Sequence, residues 1–144
     1  MDSEQNSDKS TERAAAPSEA RDFLQSQILR IIFNTLLKIS APMKLQEEFL
    51  HNKTELQQKS NLSFEDFERL SKLIFRYVTF VPDNKYRLHL PKALELLNGH
   101  TKDKDFVALS IHLNCKIWTY EDRLFKLGVA ISTKEIADIL RNNP

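Results

Sequence analysis

The sequence predicts an α/β fold in three layers, with a short parallel sheet between helices. Three observations carry this. Short β-branched and aromatic runs, among them Val78-Thr79-Phe80-Val81 and Val129-Ala130-Ile131, alternate with stretches of helical periodicity. Helix-start signals, either prolines or capping boxes, follow those runs. The alternation is most regular in the last third of the chain, and strand–helix–strand order implies parallel strands covered by helices.

Apolar positions Phe23, Leu24, Ile28, Leu29, Ile31, Ile32, Leu36 and Leu37 recur at helical spacing. Lys38-Ile39-Ser40 then reads as a short strand stopped by Ala41-Pro42, and proline opens a helix striped by Leu45, Phe49 and Leu50. Ser63-Phe64-Glu65-Asp66 resembles a capping box, with Asp in the usual Glu position, for a helix through Phe67, Leu70, Leu73 and Ile74. Strand Val78–Val81 closes at Pro82-Asp83-Asn84. A helix from Pro91 to Leu97 ends at Asn98-Gly99. Helix Asp103–Leu113, strand Lys116–Thr119, a short helix Glu121–Leu127 closed by Gly128, and strand Val129–Ile131 follow. Ser132-Thr133-Lys134-Glu135 is a full capping box for the final helix, Ile136 to Arg141.

The chain has 144 residues, enough for one domain but not two. Residues 1–20 hold no Leu, Ile, Val or aromatic side chain and cannot bury enough to offset their ordering entropy, so they read as a disordered polar tail ahead of a domain over 21–144. The two glycines, Gly99 and Gly128, are too few for GxGxxG or a P-loop, and the single Cys115 excludes an internal disulfide or a CxxC zinc site. Cys115 reads as a small buried hydrophobe at a strand edge. A net charge of +1 removes the simplest case for nucleic-acid binding, a strongly basic surface, but not a local basic patch. No apolar run approaches the roughly 20 residues that span a bilayer, and the acidic N-terminus carries no signal peptide, so a cytoplasmic protein without membrane contact is expected.

Ligands of open α/β sheets bind at the carboxyl ends of strands, where helix N-termini point. Acids fall there in three places: Glu47 and Glu48, Asp103 and Asp105, and Glu121 and Asp122. Gathered at one sheet edge, they suit Mg²⁺ or Mn²⁺, which take oxygen ligands and can activate water against a phosphodiester. Taken pair by pair, the same acids read first as capped, solvated helix starts, where the macrodipole favours them by about 0.3–1 kcal/mol each.

The run Asp103-Lys104-Asp105-Phe106-Val107-Ala108-Leu109-Ser110-Ile111-His112-Leu113 through Trp118-Thr119-Tyr120-Glu121-Asp122 resembles the C-terminal half of a PIN domain. Ala41-Pro42-Met43-Lys44-Leu45-Gln46-Glu47-Glu48-Phe49 resembles that family's helix start, and Leu127 to Thr133 its last strand and final helix entry. The likeness is strongest to the prokaryotic subgroup that includes toxins of toxin–antitoxin pairs. It implies an endoribonuclease that uses Mg²⁺ or Mn²⁺, with RNA as substrate and an antitoxin as protein partner. By this resemblance Glu48 (or its neighbour Glu47), Asp103 and Glu121 are catalytic metal ligands. Asp105 and Asp122 are further ligands, and Thr119 is a substrate-binding hydroxyl.

The resemblance lacks one part. PIN domains begin with a central strand ending in a D-T-N-type motif. Here Ile31-Ile32-Phe33-Asn34-Thr35-Leu36 echoes it only with Asn for Asp, close to Glu48 and at helical spacing. A domain missing that strand and its acid would bind Mg²⁺ weakly, because Mg²⁺ demands near-ideal geometry, and would leave strand edges open to self-association. The alternative function is therefore an inactive or truncated PIN-like protein, kept as a binding partner or remnant. A helix-turn-helix at Ser132–Leu140 is disfavoured because no recognition helix follows. His51, His89, His100 and His112 share no metal-ligand spacing, and Trp118 and Phe106 read as core.

Overall fold

The computed structural model describes residues 27–142. The expected polar tail over 1–20 and the expected domain start at residue 21 lie outside them. After a helical stretch over 27–32, the chain forms β1 (Ile39–Pro42), α1 (Met43–His51), α2 (Lys53–Ser60), α3 (Phe64–Tyr77) and β2 (Val78–Val81). Two 3-10 turns, Asp83–Lys85 and Arg87–His89, lead into α4 (Leu90–Leu97). A third, Thr101–Asp103, opens onto α5 (Lys104–Leu113), followed by β3 (Ile117–Trp118), α6 (Asp122–Lys126), β4 (Ala130–Ile131) and α7 (Thr133–Asn142).

Every strand pairing among the described residues is parallel, as the alternation predicts. β1 pairs with β2 in the register Ile39↔Val78 to Pro42↔Val81. β3 pairs with β4, Ile117 opposite Ala130 and Trp118 opposite Ile131. The four strands form two separate two-stranded sheets rather than one. Helix α5 packs against strands of both, β1 and β3.

Two departures from the sequence reading have simple causes. β1 runs through Pro42, two residues past its expected end. Proline with φ −61° and ψ 141° is already extended, and its missing N–H costs nothing at the last strand position, so Pro42 ends β1 and caps α1 together. Helix α2 was not expected at all. Leu56 is its one apolar side chain and it buries no residue, so it leaves no periodic stripe to read. Instead Lys53 ion-pairs with Glu68 of α3, and Gln57 Nε2 donates to the Leu62 carbonyl at 2.7 Å.

The core gathers Tyr86, Ala93 and Leu97 with Val107, Ala108 and Leu109 of α5, plus Ile117 and Leu124. A second cluster is aromatic. Phe49 of α1 stacks on Phe67 at 5.8 Å and meets Phe75 edge-on at 4.9 Å, and Phe75 meets Phe80 of β2 at 5.3 Å. Cys115, expected to be buried, is exposed. It follows Asn114, whose left-handed φ of 53° ends α5, and its N–H and carbonyl both bond Ser110, turning the side chain outward.

Candidate active site

Two of the candidate acids fall at the start of α5. Asp103 ends the preceding 3-10 turn and Asp105 lies in the first turn of α5. Residues two apart on a helical path do not share a face, and these two carboxylates have different partners. Asp103 Oδ2 accepts from Arg123 Nη2 of α6 at 3.3 Å, and the other end of that guanidinium, Nη1, lies 3.2 Å from His100 Nδ1. Asp105 Oδ1 accepts a hydrogen bond from the Tyr86 hydroxyl at 2.8 Å, while its Oδ2 lies 3.6 Å from Lys44 Nζ and 3.7 Å from Lys104 Nζ.

Asp105 opens into a pocket. It is lined by Pro42 at the end of β1, by Lys44, Leu45 and Glu48 of α1, and by Lys102, Asp105 and Phe106 around the start of α5. The site thus sits where β1 hands over to α1, beside the N-terminal turn of α5. Its electrostatics are mixed: two carboxylates and two ammonium groups share one concavity. Tyr86 is 1% exposed, and burial together with the adjoining Asp105 holds its phenol well above the ordinary range, so it remains a protonated donor.

The other expected residues fall elsewhere. Glu47 is exposed on α1 and does not line the pocket. Thr119 is buried, and its Oγ1 accepts from the Glu121 N–H at 3.1 Å, forming the local turn into α6. Glu121 is half-buried as the residue that caps α6, its carbonyl taking the N–H of Leu124 and Phe125. Asp122 is exposed in the first turn of α6. Neither these two nor Asp103 line the pocket.

Whether the residues suit a divalent ion follows from the donor set. Among the described residues no three His, Cys, Asp or Glu side chains converge. Glu48 and Asp105 together still fit a hard cation that takes one or two carboxylates and fills its remaining positions with water and phosphate oxygens. Asp103, which does not line the pocket and pairs with Arg123 of α6, does not join them. Three side chains of this site carry no sequence signal. Tyr86 follows an ordinary turn, and Lys44 and Lys102 read as solvated charges until folding sets them beside Glu48 and Asp105.

These carboxylates and lysines lie where β1 meets α1, in an α/β fold whose short parallel sheets pack against helices. A family model described as PIN domain matches residues 20–141, and the chain belongs to that family. The family is of nuclease type, and its members generally use divalent metal ions and act on RNA. No curated protein and no solved structure matches the chain. No helix among the described residues is long and apolar enough to cross a membrane.

Proposed function

We propose that the chain is a PIN-type ribonuclease that hydrolyses RNA phosphodiesters with Mg²⁺ or Mn²⁺, its centre being the pocket between α1 and α5. One observation carries this reading: Glu48 and Asp105, far apart in sequence, line a single opening flanked by Lys44 and Lys102. Glu48 and Asp105 would hold the ion, which when bound supplies an activated water and stabilises the leaving oxygen. The lysines attract the phosphate and favour negative charge at the mouth. Of the expected ligands, Asp103, Glu121 and Asp122 are assigned to holding the surrounding elements, and Thr119 to shaping the turn before α6. Two carboxylates instead of three or four make binding weak, which suits the more forgiving Mn²⁺ over Mg²⁺.

Purified protein on single-stranded RNA with Mn²⁺ tests this directly. Cleavage should disappear in both Glu48→Gln and Asp105→Asn. Cleavage that persists in either variant removes that residue from the centre. The toxin role, with a cytoplasmic antitoxin partner, rests on the subgroup likeness of Ala41–Phe49 and Asp103–Asp122, and co-expression toxicity is its test. A homo-oligomer through the strand edges is tested by light scattering.

A second reading is favoured by the pairing of Asp103 with Arg123 and of Asp105 with Lys44. Internal cations already answer these acids, as suits a PIN-like protein that binds a partner without cutting. Binding of RNA at micromolar protein with no cleavage in Mn²⁺ would select it.

A further inference from the structure

Tyr86 is the most deeply buried titratable side chain touching the pocket's acids, and no pattern in the sequence marks it. Its ring is locked in the core with Ala93, Leu97, Val107 and Ala108, between the two 3-10 turns that follow β2. From there its hydroxyl reaches 19 residues along the chain to Asp105 Oδ1 at 2.8 Å. The Asp105 side chain is only 15% exposed, and its other oxygen, Oδ2, lies between Lys44 of the pocket at 3.6 Å and its own neighbour Lys104 at 3.7 Å.

We infer that Tyr86 is a positioning residue, which ties up one oxygen of Asp105 and thereby presents the other to a divalent cation in the pocket. The inference rests on the reading of Glu48 and Asp105 as the metal-holding pair. The physical reasoning is direct. A carboxylate with one oxygen anchored to a rigid donor keeps a single orientation, and such anchoring partners govern metal affinity nearly as strongly as the ligands themselves. A phenol on a packed ring is a stiff anchor, since ring orientation is set by the core and only the O–H rotates. Lys44 at 3.6 Å and Lys104 at 3.7 Å, both partly exposed, are then the counter-ions that an incoming cation displaces from Oδ2.

The test measures Mn²⁺ affinity by calorimetry on the protein without RNA, well below its unfolding temperature. Tyr86→Phe keeps the ring and deletes the hydroxyl. It should weaken Mn²⁺ binding by roughly 10-fold or more while its far-ultraviolet spectrum stays that of the wild type. Asp105→Asn should weaken binding at least as far, and adding Tyr86→Phe to it should change nothing further, because the tyrosine acts only through Asp105. A Tyr86→Phe variant that is folded and binds like wild type overturns the inference and leaves the metal pair standing. Wild-type protein that binds no Mn²⁺ overturns the metal pair, and the inference with it. Should Tyr86→Phe fail to fold, Lys44→Gln replaces it: tighter Mn²⁺ binding supports an Oδ2 presented to the pocket, and unchanged or weaker binding overturns it.

Discussion

Asp103 and Asp105 are separated by one residue and do different work. Asp103 ties Arg123 of α6 to the turn before α5, whereas Asp105 faces the pocket across from Glu48. Replacing Asp103 with Asn should therefore leave Mn²⁺ affinity within a few-fold of wild type and lower stability by about 1 kcal/mol or less, the usual range for a partly exposed pair. Calorimetry and urea unfolding separate the two effects. The reverse pattern, lost binding with full stability, would return Asp103 to the metal site. Tyr86 supplies a pH signature as well. Its phenol sits above its ordinary value near 10 when folded, so the neutral form is favoured by folding. That contribution is complete below about pH 10 and is lost as pH rises through the folded value. Wild-type stability should fall more steeply than that of Tyr86→Phe as pH rises from about 10, as read by denaturant midpoints at successive alkaline pH values.

Helix ends show how this chain manages with two glycines. Asn61, Asn98 and Asn114 all take left-handed φ, at 61°, 49° and 53°, and end α2, α4 and α5. Asparagine is the side chain that tolerates this region best after glycine. Asn98→Ala should cost about 1–2 kcal/mol, and Asn98→Gly should match wild type or exceed it, by thermal or denaturant unfolding. At helix starts the local code was legible. Ser132 and Glu135 exchange bonds as a capping box must, with Ser132 N–H to Glu135 Oε1 at 2.9 Å and Glu135 N–H to Ser132 Oγ at 3.0 Å. Ser63 likewise accepts from the Asp66 N–H at 3.1 Å. The element that escaped, α2, had nothing local to betray it. Its order comes from an ion pair and a side-chain bond to residues outside it.

For the molecule as a whole, the two parallel sheets divide the packing. β1–β2 belongs with the aromatic cluster of α1 and α3, and β3–β4 with the aliphatic core of α4, α5 and α6. Two-stranded sheets are weak by themselves, so order should concentrate in the helices that bridge them. Hydrogen exchange should find the slowest amides in α5, whose Val107, Ala108 and Leu109 are at most 4% exposed, with faster exchange in α2 and in both strand pairs. Slower exchange in β1 than in α5 would contradict that division. A core substitution tests the same point: Leu97→Ala, at a site 3% exposed, should cost about 2–5 kcal/mol.

Strand and helix types, their parallel order and the caps of α3 and α7 follow from near neighbours in the chain. Periodicity and hydrogen-bonding side chains act over a few residues, and those interactions are readable in order. The choice of Asp105 over Asp103 for the pocket was settled elsewhere. So were the anchoring of Asp105 by Tyr86 and the placing of Lys44 and Lys102 beside the acids. Each of those contacts joins elements distant in sequence, and the placing of α5 is set by its packing against α4, β1 and β3 rather than by the acids themselves. Carboxylates at helix starts look alike along a chain because the macrodipole welcomes all of them. Only packing determines which of them meet.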